Sequence, residues 1–129
     1  MKAFDKGGLG GPEKAEILRL LLEALVGVNE LWLRRFPQTP RIYQSGVIYL
    51  REPSGRDDWQ DIPECLYRRN ADCEDLASWR VAELRAYEGI EAHPYVKGFE
   101  LQPGKTLYHI QVILPNGEIE DPSRKLGMR

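Results

Sequence analysis

Cys73, His109 and Asp121 are the residues of this chain best suited to chemistry together. A thiol, an imidazole and a carboxylate are what nucleophilic acyl transfer needs: an attacking atom, a base, and a group that orients the base. Cys73 falls where loop becomes helix, in Asp72-Cys73-Glu74-Asp75. Asp72 suits the N-cap, and Glu74 and Asp75 suit the first turn. A helix N-terminus favours a thiolate, but the neighbouring carboxylates oppose it, so a histidine partner is required. The alternative for a lone thiol is an inert core cysteine. Cys65, among Pro63, Glu64, Leu66 and Tyr67, reads as a packing or surface residue.

The base and its carboxylate depend on the register of a hairpin. In Leu107 to Leu114, His109, Gln111 and Ile113 face one way if the segment is a strand. A two-residue Asn116-Gly117 loop puts Asp121 on the opposite face. A three-residue Pro115-Asn116-Gly117 loop fits the turn chemistry better: Pro at i+1 of a type I turn, Asn at i+2, and Gly at the left-handed bulge position. Leu114 then pairs with Glu118, Ile113 with Ile119, and Gln111 with Asp121. Asp121 joins the His109 face, on the diagonal, within side-chain reach. The alternative is an ordinary strand histidine and a turn aspartate before Pro122.

The elements that position these groups follow from periodicity and breakers. A helix is expected from Cys73 to Glu88, stopped by Gly89. Leu76, Ala77, Val81, Leu84 and Tyr87 share a face with Cys73, and Arg80 falls within that face, so an ion pair is expected for it. Upstream, Pro12 and Glu13 open a long amphipathic helix. Its apolar positions are Leu18, Leu21, Leu22, Leu25, Val28, Leu31, Trp32 and Phe36, and Pro37 ends it. That stripe packs on its own domain or, alternatively, on a partner protein. Residues 1–11 are Gly-rich and expected to be mobile. Residues 37–58 read as irregular chain around a strand over 46–50, and 59–69 as a short helix or turn region. Strands are expected over 92–98, 106–114 and 118–121. Helices followed by a strand meander make an α+β domain spanning 12–129.

Composition limits the function classes. The net charge is −2 and the pI about 5.7, which argues against nucleic acid as a partner. Two cysteines eight positions apart allow neither a Cys-x-x-Cys zinc site nor a disulfide framework, and favour a reducing, cytoplasmic home. The first residues lack the apolar stretch of a signal peptide. The longest apolar cluster, 17–28, is interrupted by Arg19, Glu23 and Gly27, and no membrane span is expected.

Asp72-Cys73-Glu74-Asp75-Leu76-Ala77, then Tyr108-His109, then Glu120-Asp121-Pro122 after a Pro-Asn-Gly turn, together resemble the transglutaminase-like superfamily. The bacterial transglutaminase-like cysteine proteinases are similar around Cys73 and carry an upstream Trp, matched here by Trp59. The resemblance covers roughly residues 43–128. The ending from Glu120 to Met128 is similar to small transglutaminase-like proteins of phages and prophages. One departure is Ala71, where many relatives have Gly. The resemblance implies a papain-like core, with a nucleophile-bearing helix on a small antiparallel sheet. It implies a Cys73–His109–Asp121 triad and a thioester on Cys73, passed to water by a peptidase or amidase acting on a peptide or protein substrate, or to an amine by a cross-linking enzyme. A non-enzymatic phage structural or assembly protein, virion-associated, is the other alternative. The Cys73 backbone N–H and a group near Trp59 or Gln60 are candidate oxyanion donors. No cofactor is required; some relatives bind calcium, and Asp72 and Glu74 match those positions.

Overall fold

The computed structural model describes residues 11–51 and 58–129. The stretch expected to be mobile lies outside the described residues up to residue 10; Gly11 already opens a helix. Helix α1 spans Gly11–Arg35, followed by a 3-10 turn at Ile42–Gln44. Strand β1 (Ile48–Tyr49), helix α2 (Ile62–Arg68) and strand β2 (Asn70–Ala71) lead into helix α3 (Cys73–Glu88). Strands β3 (His93–Gln102), β4 (Lys105–Ile113) and β5 (Ile119–Glu120) follow, and helix α4 (Pro122–Lys125) comes last. The architecture is α+β, with a three-stranded antiparallel sheet in the order β3-β4-β5. No helix among the described residues is long and apolar enough to cross a membrane.

Helix α3 forms where its caps dictate. Asp72 and Asp75 make a reciprocal capping box, and Gly89, at φ 64°, ends the helix in the left-handed conformation that glycine adopts without strain. Leu76, Ala77, Trp79, Val81, Ala82 and Leu84 are all buried, so α3 runs through the core. It packs on α1 and on β4.

The inward face of α1 differs from the expected stripe. Leu18, Leu22, Val26, Asn29 and Leu33 are buried, whereas Val28 and Leu31 are exposed and Leu21, Leu25 and Trp32 only half-buried. The helix is apolar on two sides, so periodicity alone does not choose between them. Asn29 belongs to the buried stripe because its Oδ1 accepts the Ile62 N–H at 3.0 Å, at the open end of α2.

Arg80 meets the ion pairs expected of it. Its Nε donates to Glu120 Oε2 at 2.7 Å and its Nη1 lies 3.3 Å from the buried Glu83, with the guanidinium 5.2 Å from the Tyr43 ring centre. Glu83 also accepts the Ile42 N–H at 2.7 Å, and the Tyr43 hydroxyl donates to Glu120. This cluster ties the 3-10 turn, α3 and β5 together around satisfied charges.

The β3–β4 hairpin is longer than its sequence pattern suggested, and its turn carries Gly104 at φ 81°. The expected strand over 46–50 shrinks to the two residues of β1. They pair in parallel with β2, Ile48 opposite Asn70 and Tyr49 opposite Ala71. The last strand stops at Glu120, because Asp121 N-caps α4 with Pro122 in its first turn.

Candidate active site

The Pro115-Asn116-Gly117 loop takes the three-residue form. Ile113 pairs with Ile119, the Gly117 N–H donates to Leu114 O at 2.9 Å, and Gly117 has φ 89°. This register carries Asp121 to the His109 face. The His109 Nε2 proton is directed at Asp121 Oδ2, 2.9 Å away, and Gln111 Nε2 donates to the same oxygen at 3.1 Å. The other carboxylate oxygen, Oδ1, accepts the Arg124 N–H at 3.3 Å. Burial works against the charge on Asp121, but the His109 and Gln111 hydrogen bonds outweigh it and hold its carboxyl below the usual range. With Nε2 held by the carboxylate, Nδ1 is the basic nitrogen of His109.

Cys73 is the first residue of α3 and is 8% exposed. Ile110, next along β4 from His109, is near enough for its N–H to favour the thiolate. The thiol and the imidazole stand on packed elements, the start of α3 and β4, but among the described residues no hydrogen bond joins Cys73 Sγ to His109. The Cys73 S–H donates to Glu74 Oε2 at 3.1 Å. Burial pushes the thiol up, the Glu74 and Asp72 charges push it further, and the Ile110 N–H pulls the other way. Glu74 is itself raised by burial and by Asp72. The resting sulfur is thus a neutral thiol, as the flanking carboxylates require.

The candidate oxyanion donors are otherwise engaged. The Cys73 N–H donates to Asp72 Oδ1 at 2.7 Å. The Gln60 side-chain amide donates to Asn70 O at 2.8 Å and lies 3.7 Å from the Cys65 sulfur. Trp59 is half-buried and lines an open pocket of about 640 Å³ with Leu25, Val28, Asp61, Glu64 and Arg68, between α1 and α2. Cys65 is fully buried, and burial lifts its thiol to about 12.

Asp72, Cys73 and Glu74 each bring one ligand atom within 4.8 Å of the others. Calcium takes six to eight oxygen ligands. Among the described residues this cluster offers two carboxylates and a thiol, with Asp72 Oδ1 committed to the cap and Glu74 Oε2 to the thiol. That donor set does not fit calcium.

Two contributors were not foreseen. Asp75 is buried and accepts the Gln60 N–H at 2.8 Å and the Asp72 N–H at 3.0 Å, so it fixes the approach to Cys73. Burial raises its carboxyl to about 8, against the pull of those two N–H groups. Tyr49, brought in by the β1–β2 pairing, is raised to about 12 by burial and by the Asp72 charge beside it. Asp75 had a visible signal, the capping-box spacing; Tyr49 had none, since a two-residue parallel pair leaves no pattern.

No family model, no curated protein and no solved structure matches this chain.

Proposed function

We propose that this protein is a cysteine-dependent hydrolase of peptide or protein amides, of the papain-like, transglutaminase-like type. The observation that carries the reading is the His109–Asp121 hydrogen bond, formed on the strand that packs against the helix opened by Cys73. His109 Nδ1 takes the thiol proton as Sγ attacks the amide carbonyl carbon. The tetrahedral adduct collapses when His109 returns that proton to the leaving amine, and a thioester remains on Cys73. Water then attacks the thioester carbon, giving its proton to His109. The acid leaves and the thiol is restored by the same proton. Asp121 keeps the imidazole in the Nε2–H tautomer and stabilises its charged form. Because the resting sulfur is a neutral thiol, proton transfer accompanies attack and no ion pair stands ready beforehand. An amine in place of water would make the same intermediate a cross-linking one.

A second reading is a non-enzymatic structural or assembly protein that keeps this arrangement. The Cys73–Glu74 hydrogen bond and the low exposure of the sulfur favour it. Iodoacetamide alkylation, followed by peptide mapping across pH, separates the two. The hydrolase reading expects Cys73 to react faster than Cys65 at neutral pH, and slower once His109 is replaced by Ala. Identical titration of Cys73 in both proteins would leave only the structural reading.

A further inference from the structure

The face of α1 turned away from the core has a pattern of its own. Its positions are Glu13, Ile17, Leu20, Ala24, Val28, Leu31 and Arg35, spaced four, three, four, four, three and four residues apart. At 3.6 residues per turn they fall within an arc of about 80°, opposite Leu18, Leu22, Val26 and Leu33. Leu20 is 54% exposed, Val28 51% and Leu31 72%, so this is an apolar seam in water. From Glu13 to Ala24 and from Ala24 to Arg35 is 11 residues each, the 3.67-residue spacing of a right-handed helix-pair seam rather than of a heptad one.

The order of spacings reads the same from either end, with Ala24 at the middle. A second α1 laid antiparallel therefore meets like with like: Ile17 against Leu31, Leu20 against Val28, and Ala24 against its own copy. The charges fit the same direction. The exposed charged residues of α1 are Glu13 and Glu16 near its start and Arg34 and Arg35 at its end, Glu16 pairing with Arg19 and Arg34 with Glu30 within the helix. Antiparallel pairing places each acidic start beside the partner's basic end, Glu13 opposite Arg35, whereas parallel pairing stacks like charges. The small Ala24 at the crossing lets the two backbones approach.

We propose that two copies of this chain associate through α1 as an antiparallel helix pair centred on Ala24. A single helical seam is at the small end of protein interfaces, so the dimer should be concentration-dependent.

Sedimentation velocity over a concentration series of the full chain tests this. The wild-type protein is expected to move from monomer to dimer as concentration rises. Leu31→Glu, on the side remote from the core, should sediment as a monomer while keeping the wild-type far-ultraviolet circular dichroism. Arg35→Glu should weaken association several-fold, and Glu13→Arg combined with Arg35→Glu should recover it, since the swapped charges face each other only in the antiparallel arrangement. A monomer at every concentration into the millimolar range overturns the proposal, as does a dimer that Leu31→Glu leaves intact. A charge-swapped double variant that fails to recover the dimer overturns the antiparallel register.

Discussion

Cys73 Sγ lies 3.1 Å from Glu74 Oε2, and the thiol proton sits between them. A carboxylate at that distance holds the thiol in its protonated form, because ionising the sulfur would set two negative charges side by side in a buried place. Glu74→Gln removes the charge and keeps the size. The Cys73 thiol should then titrate at lower pH, and its alkylation at neutral pH should accelerate by roughly tenfold or more, one pKa unit being a factor of ten in thiolate. Alkylation rate against pH in the two proteins reads this directly. An unchanged profile would mean that Glu74 does not govern the thiol.

Asp121→Asn keeps the shape of the His109 partner but removes its charge. On the hydrolase reading, turnover of a peptide amide should fall on the order of 10² to 10⁴-fold, with substrate KM changed little. Cys73→Ala should abolish turnover and leave the fold in place. If Asp121→Asn turns over at the wild-type rate, the carboxylate does not orient the base.

Asp75 links stability to pH. Its carboxyl is raised from 3.8 to about 8, so the folded protein retains a proton that the unfolded chain gives up. This contribution is complete below pH 3.8, shrinks as pH rises toward 8, and is flat above that. Its slope is at most about 1.4 kcal/mol per pH unit. Urea unfolding between pH 5 and pH 9 should show wild-type stability declining with pH, and Asp75→Asn should flatten the decline while lowering stability at acid pH, because the amide loses one of two acceptor oxygens. Parallel curves for the two proteins would place the titration elsewhere.

Gly117 has φ 89°, a conformation costly for a branched side chain. An added Cβ there meets nothing within 4 Å, so strain is the whole effect. Gly117→Val should cost about 1–3 kcal/mol and loosen the His109–Asp121 alignment. Chemical denaturation gives the first, and the His109 ring resonances in NMR give the second.

Leu22 and Leu25 differ by one turn of the α1 surface. Leu22 is fully buried and Leu25 half-buried at the rim of the pocket beside Trp59. Leu22→Ala should cost about 2–5 kcal/mol, and Leu25→Ala a fraction of that. Equal losses would put the inward face of α1 where hydrophobic spacing alone had it.

What could be read from the sequence was local. The Pro115-Asn116-Gly117 turn fixed the hairpin register because its residue types demand particular backbone angles, and Asp121 followed from that register. The start and end of α3 followed from Asp72, Asp75 and Gly89 for the same reason. The rest depended on contacts made across the fold. Val26 and Asn29 mark the core side of α1, but Asn29 counts as an inward residue only once the Ile62 N–H is seen to need it. Gln60 was a plausible donor by position, yet its amide is turned to Asn70 O. The four-residue helix after Asp121 had a signal, the Asp-Pro pair, that also fits the end of a strand.

The two-residue strand β1 has a consequence for how the molecule assembles. Leu50 N–H donates to Ala71 O, two residues ahead of Cys73, and Tyr49 N–H donates to Leu126 O, five residues beyond Asp121. A short segment far from either thus clasps both ends of the site. Closing those loops costs chain entropy that nearby contacts do not repay, so the clasp belongs to the late stages of folding. The helices and the β3–β4 hairpin can form from near neighbours, while the surroundings of Cys73 wait for the 48–50 and 119–126 segments to arrive. Substitutions in the clasp should hasten unfolding and leave the refolding rate nearly untouched.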